Sequence, residues 1–94
     1  MELRFEWNEE KAKENLRKHR VSFEEAKTVF NDPLSITFPD PDHSATEQRF
    51  VNIGWSSKRR VLVVVHTERN DRIRIVSCRR ATVRERNAYE EKSR

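Results

Sequence analysis

The stretch Arg60–Thr82, RVLVVVHTERNDRIRIVSCRRAT, decides how the rest of this chain can fold. Two β-rich runs, Arg60–Glu68 and Arg72–Arg79, flank the polar turn Arg69-Asn70-Asp71, which reads as an antiparallel hairpin. The first run is the most apolar part of the chain, and the second interleaves arginine with isoleucine and valine. One hairpin therefore supplies core and also presents much of the positive charge. Its mouth gathers His66, Glu68, Arg72 and Arg74, the kinds of group that phosphodiester chemistry uses.

Upstream of the hairpin, Gln48–Trp55 reads as a strand with Phe50 and Trp55 on opposite faces by parity, and Ser56-Ser57-Lys58-Arg59 turns into it. Leu34–Phe38 is a further strand, followed by an acidic, proline-stiffened loop, Pro39–Ser44. Ser22-Phe23-Glu24-Glu25 fits a capping box that opens a helix, with Glu25 expected to reach back to Ser22. Phe23, Ala26 and Phe30 form its core-facing stripe until Asn31-Asp32-Pro33 stops it. An earlier helix starts at the N-cap Asn8 and runs to about His19, with a narrow stripe of Ala12 and Leu16 extended by Asn15 and His19. Leu3–Trp7 alternates as a short strand. Downstream, Thr82-x-x-Glu85 is a second capping box opening a polar helix, which only Val83, Ala88 and Tyr89 can anchor.

The order β-α-α-β-β-β-β-α predicts one α+β domain over residues 1–94. Two N-terminal helices should pack on one face of an antiparallel sheet of four to five strands, with a C-terminal helix added and the arginines on the uncovered face. The net charge of +4 conceals an asymmetry. Residues 1–47 carry 7 Lys/Arg against 11 Asp/Glu, and residues 48–94 carry 13 against 5, eleven of the thirteen being arginine. A half this basic suits a polyanion or an acidic partner, and the planar guanidinium suits phosphate. A single cysteine, Cys78, excludes an internal disulfide and suits a reducing cytoplasm. No apolar run approaches the roughly 20 residues needed to span a bilayer.

His19, His43 and His66 are scattered, and no CxxC or HExxH pattern is present, so no metal or other cofactor is expected. RNA cleavage can proceed without one if carboxylate, imidazole and guanidinium groups converge. His66 and Glu68 share a strand face. With Val65 opposite Ile75, His66 stands opposite Arg74 and Glu68 opposite Arg72, whereas a one-residue slip sends those arginines to the other face. His66 as a half-buried strand histidine and Glu68–Arg72 as a simple cross-strand ion pair are the competing readings.

The runs FEWNEEKAKENLRKHRVSFEEAKTVFNDP, EQRFVNIGWS and VVHTERNDRIRIVSCRRATVRERNAYEE resemble the BrnT family of type II toxins over nearly the whole chain. The resemblance implies a RelE-like fold and a metal-independent endoribonuclease that inhibits translation. It also implies a BrnA-type antitoxin as partner in a heterotetramer, contact with DNA only through that antitoxin, and no membrane. The matching positions are His19, Arg49, His66, Glu68, Arg74, Arg79, Arg80 and Glu85. Arg20 stands where the family has glycine, and Cys78 where it has alanine. On this basis His66, Glu68, Arg74 and Arg79 are the expected catalytic groups, and Arg49, Arg72, Arg80 and Arg84 the expected RNA-binding ones. The alternative is a non-enzymatic nucleic-acid-binding or partner-binding module that uses the same arginine face.

Overall fold

In the computed structural model, residues 3–40 and 47–92 are described. The predicted order holds: β1 (Arg4–Glu6), α1 (Glu9–His19), α2 (Phe23–Thr28) with a 3-10 turn at Val29–Asn31, β2 (Ile36–Pro39), β3 (Arg49–Trp55), β4 (Val61–Arg69), β5 (Arg72–Arg80) and α3 (Val83–Lys92). The strands form one sheet in the order β1-β5-β4-β3-β2. All neighbours are antiparallel except β1, which lies parallel to β5. The acidic loop predicted over Pro39–Ser44, with His43, lies outside the described residues from residue 41 on.

The two helical layers are on opposite faces. Val21, Phe23, Ala26 and Val29 from the α2 region pack on Leu62, Val64, Ile75 and Cys78, forming the main core. Ile53, Val61 and Val63 point the other way and pack with Tyr89 of α3. Tyr89 also donates its hydroxyl to Asp32 Oδ2 at 2.5 Å, which ties α3 down where its apolar surface cannot; Val83 is exposed rather than an anchor.

Several expectations change. On α1 the buried residue is Asn15, not Leu16, which is half exposed. Asn15 Oδ1 accepts from the Cys78 amide at 3.1 Å, and Asn15 Nδ2 donates to Cys78 O and Val21 O, each at 2.9 Å. A side-chain amide thus mimics a peptide unit against the outer edge of β5, past the end of β1. In the α2 cap, Ser22 accepts from the Glu25 amide as expected. The Glu25 carboxylate, however, turns inward to Ser56 at 2.7 Å and Arg60 at 2.6 and 2.8 Å. Its pKa is lowered chiefly by the Arg60 hydrogen bond.

Among the described residues, three turn positions lie in the left-handed region without glycine: Arg20, Arg59 and Asn70. The one glycine, Gly54, serves close packing instead. A Cβ there would stand 2.8 Å from Ser35 Cβ and 2.9 Å from Val29 Cγ1. Gly54→Ala is expected to destabilise by about 1–3 kcal/mol through overpacking. Urea unfolding that matched the wild type would refute this.

Candidate functional site

The hairpin closes more tightly than expected. Arg69 pairs with Arg72, leaving a two-residue Asn70-Asp71 loop with Asn70 at φ 56°. Asparagine tolerates that conformation, so no third residue is needed. The pairing becomes His66–Ile75, Thr67–Arg74 and Glu68–Ile73. The one-residue shift separates the groups expected to meet: His66 and Glu68 belong to the α1/α2 face, and Arg72 and Arg74 to the α3 face.

A second irregularity restores a different grouping. Val65 pairs with Ser77 while His66 pairs with Ile75, so Val76 bulges out of the ladder. Arg74 and Arg79 are five residues apart and would face opposite ways on a regular strand. The bulge puts Arg79 opposite Val63, on the same face as Arg74. Ile75 and Cys78 both reach the core for the same reason.

His66 is 3% exposed, against Phe30 (ring centroids 4.9 Å apart) and stacked on Phe50 at 5.7 Å. Neither ring nitrogen has a hydrogen-bond partner among the described residues. Burial pushes its pKa down to about 4, so it is neutral near pH 7. This is a core histidine. Glu68 is exposed at the hairpin end, and the Glu68–Arg72 pair does not form because the two side chains face opposite ways.

On the α3 face, four strands contribute one line of side chains: Glu6, Arg74, Thr67 and Arg49. Arg74 Nη1 donates to Glu6 Oε2 at 3.0 Å. Thr67 is 1% exposed, and its hydroxyl has no hydrogen-bond partner among the described residues. Nothing in the sequence separates Thr67 from an ordinary strand threonine; only the register sets it between two arginines. At the hairpin end of this face, Glu47 is held by Arg69 at 2.7 and 3.1 Å. Its pKa is lowered first by that bond and further by the charges of Arg74 and Arg49. The line therefore sits in a positive field.

The remaining candidates are spread out. Arg79 lies four β4 residues from the Thr67 line, roughly 13 Å along the strand. Glu85 grips it at 2.8 and 2.9 Å, and this bond is the first cause of the Glu85 pKa falling to about 2. Glu85 also takes the Thr82 amide at 2.9 Å, completing the predicted capping box. Arg79 thus anchors the start of α3. Arg72 is exposed near the hairpin tip, Arg84 is exposed on α3, and Arg80 is exposed at the far end of β5. Among the described residues, no three His, Cys, Asp or Glu side chains are grouped as a metal site would need.

The fold and this face define a class: a small basic α+β protein with guanidinium groups lined up on one face of its sheet. The family model for the ribonuclease toxin BrnT of type II toxin–antitoxin systems matches residues 7–85, and the chain belongs to that family. The fold is similar to the crystal structure of the Brucella abortus ribonuclease toxin BrnT, with a TM-score of 0.68 and 20% identity. The match covers 86% of this chain and 99% of that one. Comparison with curated proteins finds no match.

Proposed function

We propose that this chain is a metal-independent endoribonuclease that cuts RNA, stops translation in the cytoplasm and is neutralised by a BrnA-type antitoxin. Thr67 carries the reading: a buried hydroxyl without a partner among the described residues, between Arg74 and Arg49 on the arginine-rich face. A buried hydroxyl without a partner costs about 1–3 kcal/mol, which a bound phosphate oxygen would recover. The scissile phosphate lies over this line, held by both guanidinium groups, and it reaches the Thr67 hydroxyl, closed to solvent in the free protein, as the side chains above it move aside.

The RNA 2′-oxygen attacks phosphorus, forming the O2′–P bond as the P–O5′ bond breaks. The 2′ proton passes to the Glu6 carboxylate, and the departing 5′-oxygen takes a proton from solvent. Charge grows on the phosphoryl oxygens, where the arginines act most strongly. Arg72, Arg80 and Arg84 follow the RNA backbone, and Arg79 positions α3. The antitoxin covers the arginine face, in a complex of two chains of each kind, and is the component that touches DNA.

Glu6, Glu47 and Glu85 are each held by an arginine, which favours a second reading in which the face binds RNA without cutting it. RNA incubated with the purified protein in EDTA decides between them. Fragments ending in 2′,3′-cyclic phosphate are expected. Intact RNA, with and without ribosomes, would leave only the binding role.

A further inference from the structure

The end of the sheet remote from the Arg74 line carries a second feature that the cleavage chemistry does not use. Trp55 closes β3 and is 44% exposed, although it is among the largest apolar side chains in the molecule. On one side it borders a small cavity of about 80 Å³, also lined by Arg59, Arg60, Arg80 and Arg86. On the other it borders a wider hollow of about 360 Å³ with Pro33, Asn31 and Ser57 on its walls.

Charge in the small cavity is unevenly compensated. Arg60 is neutralised by Glu25, and Arg86 has an exposed contact with Glu90 at 3.6 Å. Arg59 and Arg80 have no ion-pair partner among the described residues. Arg59 also sits at φ 62° in the β3–β4 turn, a conformation that costs an ordinary residue about 1–2 kcal/mol. That turn is closed by bonds from the Ser56 amide to Arg60 O and from the Arg59 amide to Ser56 O, and it holds the Arg59 side chain at the cavity. Like charges gathered without counterions favour an anion.

The wider hollow suits what is attached to that anion. Its volume falls in the range of small-ligand sites, about 300–1,000 Å³. The Trp55 indole and the Pro33 ring give it flat apolar surface, and the Asn31 amide and Ser57 hydroxyl give it polar groups at the margin. Asp32, the acidic residue on its wall, already accepts from the Tyr89 hydroxyl, the Trp55 amide and the Leu34 amide.

We propose that this end of the sheet is a subsite for one nucleotide of single-stranded RNA, with the base stacked on Trp55 and its phosphate among Arg59, Arg80 and Arg86. The inference rests on RNA being the substrate, and it adds a contact distant from the cut. Trp55 and Arg49 share a face of β3 six residues apart, roughly 20 Å along the strand. One RNA of several nucleotides spans both points, so the subsite selects for length.

The test is binding of a 5′-fluorescein 20-nucleotide RNA and of a 4-nucleotide RNA by anisotropy, both 2′-O-methylated so that no 2′-hydroxyl is available for cleavage. Trp55→Ala is expected to weaken binding of the 20-mer about 10-fold, the size of a lost base–aromatic stack, and to leave the 4-mer unchanged. Arg59→Ala and Arg80→Ala should each flatten the salt dependence of 20-mer binding, by a slope of about 1. In Trp7→Phe protein, whose remaining indole is Trp55, the 20-mer should quench the fluorescence; this readout stands even if Trp55→Ala misfolds. Equal 20-mer affinity for Trp55→Ala and wild type, or unquenched Trp55, overturns the subsite. So does failure of the 20-mer to bind. Binding of these RNAs with no cleavage of their unmodified counterparts would refute the endoribonuclease reading and leave the subsite standing.

Discussion

Arg74→Ala is expected to slow RNA cleavage about 10²–10³-fold, the loss typical when one preorganised donor to a developing charge is removed. Arg74 lies beside Thr67 and is already oriented by Glu6, so its guanidinium does not have to be ordered during the reaction. Stability should change far less. The Arg74–Glu6 pair is partly exposed on both sides, and pairs of that kind contribute about 0–1 kcal/mol. Arg74→Lys keeps the charge and loses the planar fork, so it should recover only part of the rate. Arg72→Ala, two residues along the strand, should weaken RNA binding modestly and leave the rate at saturating RNA close to wild type. Cleavage by Arg74→Ala at the wild-type rate, with the protein folded, would remove the Arg74–Thr67–Arg49 line from the mechanism.

The second large effect concerns His66 and acid. In the unfolded chain its imidazole takes up a proton near pH 6.5; in the fold it does so only at about 4. Between those values the unfolded state binds more protons, so stability is complete above pH 6.5 and falls as the pH drops. From pH 6.5 to 4.5 the loss should be about 2–3 kcal/mol. The lowered carboxylates, Glu25, Asp32 and Glu85, lose their contributions only as the pH falls through about 4.5 and below, so the two windows separate. His66→Leu removes the titrating group from between Phe30 and Phe50, and its urea midpoint should stay nearly level over the upper window. A wild type as flat as the variant there would show that the imidazole is not desolvated in the fold.

Much of the architecture could be read from local signals. The Ser22 cap, the Thr82–Glu85 capping box, the Asn31-Asp32-Pro33 stop and the alternation of the strands each depend on residues close in sequence, and each appears where expected; the Glu25 half of the first box does not, because its carboxylate is drawn to Arg60 and Ser56. What could not be read depends on contacts between distant segments. The parallel seat of β1 beside β5 joins residues 68 apart, such as Glu6 and Arg74, and three alternating residues do not reveal a partner. Asn15 looked like a polar flank on a thin helix stripe; its bonds run to Cys78, 63 residues on.

The site failed at one point, the hairpin register. His66 beside arginines suggested an imidazole at a phosphate, but a turn one residue shorter puts it in the core. The bulge at Val76 then returns Arg79 to the side of Arg74, which simple parity forbids. Arg49 and Arg74, selected from the family resemblance and the charge pattern, do share one line across the sheet. Thr67 could not be selected, because only its place in the sheet sets it apart.

Asn15 has a consequence for how such a sheet can grow. Joining sheets into a continuous ribbon needs a free edge on both sides of every molecule. Here β1 covers the start of β5, and the Asn15 amide takes up backbone groups farther along it. At the other end of the sheet the edge strand is β2, of four residues. On the β5 side the outer strand is β1, only three residues long, so the buried Asn15 amide leaves an incoming strand a short template in place of the whole length of β5.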